Sequence, residues 1–273
     1  MSVIHKIISK NPLDISRLNN FVSTINGAIF QNRGEGVFYY WIDGKSTRGF
    51  EITLEDNFIE VRNMAVSNRQ DYELTNKIVE EILSITNGII IDEQEEQVTI
   101  FPIWDNDKIT ETEIRDCEII YSLANHEGHV GIDGPVRTVH FGKRLCKVFK
   151  SLKGVDLKNS IFDLILKVNY KIPNYEPGNV LLASKSEDDV KRMKVLTNET
   201  DCIIDKYDYL LMFISKKQNP IMVTNEILNT MLPFNWTLVD EFTVVAPITT
   251  DNEWKKLLKN AQKHDLWESV INQ

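Results

Sequence analysis

One stretch, from Gly36 to Val66, constrains the fold most, because its apolar and polar residues alternate over several short runs. It reads GVFYYWIDGKSTRGFEITLEDNFIEVRNMAV. A period of two is typical of β-strands that bury one face. Asp43–Gly44 is a dipeptide that closes tight hairpins, because both positions tolerate a positive φ. With a second turn at Glu55 to Asn57, the stretch predicts an antiparallel meander of about three strands.

Amphipathic helices flank this meander. Asp14 to Ile29 and Asn68 to Asn87 carry apolar residues at spacings of three and four, and Gly88 follows where a helix-ending glycine belongs. Capping-box spacings predict two further helix starts, at Thr110 with Glu113 and at Thr250 with Glu253. GIII and QVTIF predict two more strands, separated by the acidic turn DEQEE.

Strands and helices interleave in the second half of the chain. NVLLAS, DCIIDKYDYLLMFIS and NWTLVDEFTVVAP predict strands, whereas SEDDVKRMKVL, TNEILNTML and the C-terminal segment predict helices. Two prolines and a glycine between Asn169 and Asn179 indicate a linker, with a surface loop as the alternative. We therefore expect an α+β fold. Its N-terminal region, 1–168, contains the antiparallel meander with covering helices; 169–179 is a possible linker, and 180–273 is a mixed strand and helix region.

Charge and cysteine content limit the classes of function. The net charge of −9 and the pI of about 5.2 argue against a nucleic-acid partner, because such proteins usually carry a basic footprint. Three widely spaced cysteines without a CxxC pair indicate reduced thiols in a cytoplasmic protein. No apolar run approaches the ~18 residues that a membrane span needs. We expect an acidic, cytoplasmic protein without a transmembrane segment.

Three of the five histidines fall between Asn125 and Arg144, in NHEGHVGIDGPVRTVHFGKR. A metal site could use His126, His129 and His140, and an acid–base site could add Asp133. However, glycines at every third position disfavour a helix here, and the HExxH pattern of zinc hydrolases is absent. We therefore interpret the stretch as a loop with exposed histidines, expect no cofactor, and keep the hydrolase as an alternative.

A basic helix is predicted after this stretch. Seven Lys or Arg residues and only two Asp lie between Asp133 and Lys158, and an apolar stripe from Leu145 to Leu152 faces away from the lysines. A solvated lysine face explains the pattern most simply. The alternative is a site for an anion or phospholipid headgroup. Its residues would be Arg137, Lys143, Arg144 and Lys147.

Two surface features suggest protein binding. In FYYW, alternate side chains point to opposite faces of a strand, so Tyr39 and Trp41 share a face that could point outward and anchor a partner. Packing within the sheet is the simpler alternative. The acidic turn could steer a basic partner through its carboxylates. These are Asp92, Glu93, Glu95 and Glu96.

Three segments resemble an uncharacterised group of bacterial proteins: WIDGKSTRGFEI, SNRQDYELTNKIVEEILSITNG and DGPVRTVHFGKR. The resemblance implies no activity and assigns no functional residue. In acidity, size and lack of catalytic motifs the chain is also similar in type to bacterial immunity proteins that neutralise toxins. Accordingly, the leading hypothesis is a non-enzymatic intracellular protein-binding module, immunity- or adaptor-like, with a protein partner that the sequence does not identify. The oligomeric state is equally beyond the sequence.

Overall fold

The structure is a computed structural model, and it describes residues 2–175, 178–184, 190–213 and 219–271. The chain divides into two compact units, Met1–Lys171 and Ile172–Gln273. Each unit contains helices and antiparallel strand pairs, so the predicted α+β class is confirmed. The division falls inside the stretch between Asn169 and Asn179, whose role as a linker stays a prediction.

A six-stranded antiparallel sheet, in the order β2-β3-β4-β5-β1-β6, forms the centre of the first unit. Its strands are β1 (Val3–Ile8), β2 (Ala28–Gly34), β3 (Val37–Ile42), β4 (Phe50–Leu54), β5 (Ile59–Asn63) and β6 (Ile89–Ile91). The meander is therefore present, and β2 lengthens it by one strand. Glu35 and Gly36, which join β2 to β3, both have positive φ, as tight hairpin turns require.

The predicted tight hairpin at Asp43–Gly44 is wrong, because residues 43–49 form a longer connection between β3 and β4. Tertiary hydrogen bonds hold this connection. The Ser46 hydroxyl accepts from the Ile42 amide at 2.7 Å, and the buried Thr47 hydroxyl donates to the Asp71 carboxylate at 3.1 Å. A two-residue turn could not reach these partners.

Two helices cover one face of the sheet, α1 (Ile15–Ser23) and α2 (Arg69–Thr86). They bury the apolar side chains of the strands, including Tyr40, Ile52 and Val61, in one core. The helix predicted to run to Ile29 ends at Ser23, because β2 begins at Ala28. The helix predicted between Asn68 and Asn87 is confirmed. It starts with a capping box and ends at Asn87, which itself takes the left-handed conformation.

Three further helices and a hairpin complete the first unit. They are α3 (Asn106–Glu127), β7 (His129–Asp133), β8 (Thr138–Gly142), α4 (Lys143–Val148) and α5 (Gly154–Leu166), and a π-helical turn (Lys167–Lys171) follows α5. The predicted helix start at Thr110 is wrong, because Asp105 caps α3 one turn earlier. QVTIF contributes only the bridge from Gln97 to Ile91 and no strand.

The second unit has a four-stranded and a three-stranded sheet. Its elements are β9 (Val180–Ser184), β10 (Val190–Leu196), β11 (Cys202–Ile204), β12 (Tyr209–Met212), β13 (Ile221–Val223), α6 (Asn225–Asn229), β14 (Thr237–Leu238), β15 (Val244–Ala246), α7 (Asp251–Ala261) and α8 (Trp267–Ile271). The pair β10–β12 is parallel and the other pairs are antiparallel. The predicted start of α7 at Thr250 is confirmed.

The helix predicted from SEDDVKRMKVL is wrong in its described part. Val190–Leu196 forms β10, an interior strand of the four-stranded sheet, whereas residues 185–189, with the acidic pair Asp188 and Asp189, lie outside the described residues. Met193, Lys194 and Leu196 are buried in β10. Pairing with β9 on one side and β12 on the other outweighs the helix-like spacing of the charges.

Candidate functional site

The sheet face opposite α1 and α2 carries a row of polar side chains. Tyr39 on β3 lies opposite Glu51 on β4, and Glu51 lies opposite Arg62 on β5. Because neighbours in register on one face have Cβ atoms about 5 Å apart, these three side chains interact across the strands. Arg33 joins the row from β2, where a bulge shifts the register between Asn32 and Gly34. Bulges commonly redirect a side chain next to a functional site.

A polar cavity of about 240 Å³ lies at this row, and we call it the arginine pocket. It is lined by three arginines (Arg33, Arg48, Arg62), two carboxylates (Glu51, Asp133), and Ser2, Tyr39, Met64 and Gly134. The formal charge of its ionisable side chains is therefore three positive against two negative. Such a lining favours a ligand that carries an acidic group.

Arg33 and Tyr39 form one wall of the arginine pocket. The Arg33 Nη1 atom lies 2.6 Å from Glu51 Oε1, and the guanidinium stacks 3.7 Å from the centre of the Tyr39 ring. The Trp41 ring packs against Tyr39 with 5.2 Å between centroids. Tyr39 is consequently buried, and the expectation that it points outward as an anchor for a partner is wrong; Trp41 is half-buried.

Arg48 is held by its backbone on both sides. Its amide donates to Asp71 Oδ2 at 3.1 Å, and its carbonyl accepts from the Tyr39 hydroxyl. Asp71 is fully buried at the start of α2, and burial raises the pKa of its carboxyl. The position of Arg48 is therefore fixed by the core and is independent of any ligand.

Two donors of the Arg48 side chain are poorly satisfied. Its Nη2 atom lies 3.3 Å from Met64 Sδ, a weak acceptor, and its Nε is buried without a hydrogen-bond partner among the described residues. Burial lowers the pKa of this guanidinium, whereas the nearby Asp133 carboxylate opposes the shift. A buried donor without an acceptor costs about 1–3 kcal/mol, and more when the group is charged. An anion in the arginine pocket would supply the missing acceptor.

Asp133 at the end of β7 and Gly134 at the start of the β7–β8 turn line the arginine pocket. Asn169 of the π-helical turn is buried, and its Oδ1 accepts from the amides of Val136 and Arg137, both at 2.9 Å. A Cβ at Gly134 would overlap the Asn169 amide, so only glycine lets the turn approach this closely. The two interactions fix the turn against the end of α5.

The histidine stretch is not a loop. His126 lies on the last turn of α3, and Gly128 ends that helix in the left-handed conformation. His129 and His140 are diagonal neighbours on adjacent strands of the β7–β8 hairpin, with their rings stacked. The His129 Nε2 and His140 Nδ1 atoms are 3.0 Å apart, and His140 is buried. The expectation of an exposed loop is therefore wrong, because most of this segment pairs as the strands β7 and β8.

His126 does not join the other two histidines. Its side chain is 84% exposed and lies 2.7 Å from the Glu127 carboxylate. Asp133 is instead bonded to the Thr138 hydroxyl at 2.8 Å, at the far end of the hairpin. Across the described part of the chain, no group of three or more His, Cys, Asp or Glu side chains is placed to hold a metal ion. The three histidines thus do not form the alternative metal site.

The basic residues do not form the predicted anion site together. Lys143, Arg144 and Lys147 are exposed on α4, a helix of six residues. Arg137, however, is half-buried and donates to the carbonyls of Val168 and Asn169 at 3.4 and 3.3 Å. The predicted apolar stripe also fails at its centre, where Val148 is 63% exposed, whereas Leu145 at its start is buried as predicted, together with the neighbouring Cys146.

Two carboxylates of the acidic turn form hydrogen bonds to the backbone, and the other two are exposed. Asp92 Oδ1 accepts from the amides of Gln94 and Glu96, both at 2.9 Å, and Glu93 accepts from the Ile4 amide at 2.8 Å. These two carboxylates stabilise the turn and the end of β1. Glu95 and Glu96 are exposed and make no ion pair with any described residue.

The family model described as a domain of unknown function, DUF4299, matches residues 14–209. The chain belongs to this family. The expected resemblance to an uncharacterised family is thereby confirmed. No curated protein and no solved structure matches the chain. Among the described residues of this DUF4299 protein, no helix has both the length and the apolarity to cross a membrane.

Sequence reasoning missed Arg33, Arg48, Glu51 and Arg62. One signal was present: Glu51 and Arg62 are charged residues at the polar positions of two alternating strand patterns, so their side chains point away from the apolar face. Two of the three segments that carried the family resemblance also meet here. WIDGKSTRGFEI supplies Arg48 and Glu51, and DGPVRTVHFGKR supplies Asp133 and Gly134. Without the strand register, nothing in the sequence brings these segments together.

Proposed function

We propose that this protein is a binding module whose arginine pocket takes an acidic group, a carboxylate or a phosphate, of a small ligand. The observation that carries the proposal is the half-buried Arg48 side chain, whose Nε is buried and has no acceptor among the described residues. Charge-assisted hydrogen bonds from guanidinium to carboxylate or phosphate are among the strongest in proteins. The ligand would therefore remove an energetic cost that the unbound protein carries.

Preformed geometry supports the proposal. Arg33, Glu51 and Arg62 project from strands of one sheet, and Arg48 is fixed by Asp71 and Tyr39. Sites on strands hold their side chains more firmly than sites on loops. The cavity of about 240 Å³ is smaller than typical drug-binding pockets, which suits a metabolite-sized ligand or a single group.

The test is a titration of the purified protein with acetate and with inorganic phosphate at constant ionic strength. Shifts of the arginine Nε–Hε resonances in NMR spectra report binding. We expect saturable shifts at Arg48, and a loss of about tenfold in affinity in Arg48→Lys, because lysine cannot reproduce the guanidinium fork. Arg17→Lys is the matched control, since Arg17 is exposed on α1. Shifts that never saturate, or that survive Arg48→Lys unchanged, would refute the proposal.

A second candidate is the protein-binding role, immunity- or adaptor-like, that the sequence suggested. An apolar groove of about 320 Å³ supports it, lined by residues that include Leu83, Ile89, Val98, Ile100 and Phe101. Ile100 is 78% exposed there. The acidic turn connects Ile91 to Gln97 at the end of this groove, which suits a partner with an apolar anchor beside basic residues.

This second candidate predicts a one-to-one complex in native mass spectra of the protein isolated from its own cells. Ile100→Asp and Glu96→Lys should each abolish the complex. Val148→Asp, which changes another exposed apolar residue, on α4, should leave it intact. A complex that persists in both groove variants would exclude this surface as the binding site.

A further inference from the structure

We infer that the ligand of the arginine pocket is a small zwitterion, an amino acid with an acidic side chain. This inference rests on the proposed function and narrows it. It starts from the two carboxylates in the lining, Glu51 and Asp133, which would repel a ligand that is only an anion. A ligand with a protonated amine can use them.

Each carboxylate keeps one oxygen available. Glu51 binds Arg33 through Oε1, and Asp133 accepts from Thr138 through Oδ1. The remaining oxygens, Glu51 Oε2 and Asp133 Oδ2, accept no hydrogen bond from any residue that the structure describes. The arginine pocket therefore offers acceptors to a ligand as well as the donor of Arg48.

Opposite charges alternate around the cavity. Glu51 lies between Arg33, its ion-pair partner, and Arg62, its neighbour in register on β5. Asp133 acts electrostatically on Arg48. A ligand that carries both charges can place its amine at a carboxylate and its acid at a guanidinium, whereas an anion of any size meets repulsion from at least one carboxylate.

Charge balance selects the class of amino acid. Three arginines and two carboxylates give the lining a formal charge of +1, and a ligand of charge −1 neutralises it. An amino acid with one ammonium and two acidic groups has this charge. Acidic amino acids also contain few non-hydrogen atoms, in keeping with a cavity of about 240 Å³.

The test compares L-glutamate with glutarate, which lacks only the amino group, by isothermal titration calorimetry of the full chain at constant ionic strength. We expect glutamate to bind at least about tenfold more tightly than glutarate, because the amine adds a charge-assisted hydrogen bond. Asp133→Asn and Glu51→Gln should each reduce this preference and leave glutarate affinity equal or higher. Lys150→Gln, a change at an exposed residue after α4, is the matched control.

The outcomes separate the inference from the proposed function. Glutarate binding as tightly as glutamate overturns the zwitterion and leaves the anion-binding function standing. No heat and no arginine NMR shift with glutamate, glutarate, acetate or phosphate overturns both. A preference for glutamate that survives both Asp133→Asn and Glu51→Gln would also refute the inference, since the amine would then bind elsewhere. Far-ultraviolet circular dichroism of each variant confirms that it is folded.

Discussion

His5 should make the stability of the first unit depend on pH. The side chain lies on β1 and is only 3% exposed, edge-on to the Trp104 ring with 5.9 Å between centroids. Its Nδ1 is buried without a hydrogen-bond partner among the described residues. Burial, and to a lesser extent the Lys108 charge, lower the pKa of His5 from 6.5 to about 4. The folded protein therefore resists a proton that the unfolded chain accepts readily.

The sign and size follow from this difference in pKa. Above the unfolded value of 6.5 neither state is protonated, and the contribution to stability is unaffected. As the pH falls, the unfolded state gains its proton first, so stability is lost down to the folded pKa of about 4. At 1.36 kcal/mol per pKa unit, the loss reaches about 2 kcal/mol at pH 5 and about 3 kcal/mol at pH 4.

The assay compares the wild-type protein with His5→Phe, which keeps an aromatic ring beside Trp104 and removes the titration. Hydrogen exchange in increasing urea, resolved by mass spectrometry into peptides of β1 and α2, gives the free energy of unfolding of the first unit. His126→Phe, on the exposed end of α3, is the control. The carboxylates are the same in all three proteins, so the difference in free energy of unfolding between wild type and His5→Phe reports the contribution of His5.

We expect His5→Phe to gain about 3 kcal/mol relative to wild type between pH 7 and pH 4, and His126→Phe to gain nothing measurable. A difference between wild type and His5→Phe that stays constant across this range would show that the folded state accommodates the imidazolium. The assignment of the buried, neutral His5 would then be wrong.

Three further predictions concern packing and reactivity. Gly134→Ala should lower the free energy of unfolding by about 1–3 kcal/mol, because its Cβ overlaps the Asn169 amide; Gly131→Ala, whose nearest contact is 3.5 Å away, should cost less than Gly134→Ala in the same urea titration. Lys194→Met should raise the melting temperature at pH 7. The Lys194 amine is fully buried without a described hydrogen-bond partner, and burial lowers its pKa from 10.5, so the folded protein loses stability below pH 10.5 that methionine would restore. A lower melting temperature would show that the amine has a hydrogen-bond partner. The thiols should resist an aromatic disulfide reagent until urea unfolds the chain, since all three are buried and burial raises the pKa values of Cys117 and Cys202; rapid reaction in native buffer would contradict this.

Local patterns predicted those elements whose ends are set by nearby residues. The helix between Asn68 and Asn87 could be predicted because its apolar stripe and its capping residue lie in one segment. The connection after Ile42 could not, since Thr47 bonds to Asp71, which lies far along the chain. The prediction of a helix at Val190–Leu196 was wrong for a similar reason, because this segment forms a strand by pairing with β9 on one side and β12 on the other.

The arginine pocket lay beyond the sequence for the same physical reason. Its charged residues come from β2, the β3–β4 connection, β4, β5 and the end of β7. Each charge is unremarkable in its own segment, and only strand register and a bulge at Arg33 bring them to one cavity. The histidines showed the reverse. They are close in sequence, yet helix and hairpin geometry separates His126 from the other two.

The place of β1 in the sheet has a practical consequence for anyone who trims this protein. The family match begins at residue 14, yet β1 (Val3–Ile8) lies before it and forms an interior strand between β5 and β6. A fragment cut at 14–209 would lose the fully buried Ile7 and leave β5 with an open edge, and it would also lose all of β12 except Tyr209, and with it the parallel partner of β10. Exposed edges of this kind invite aggregation. The region shared by the family is therefore shorter than the region that folds, and expression should retain the residues on both sides of it.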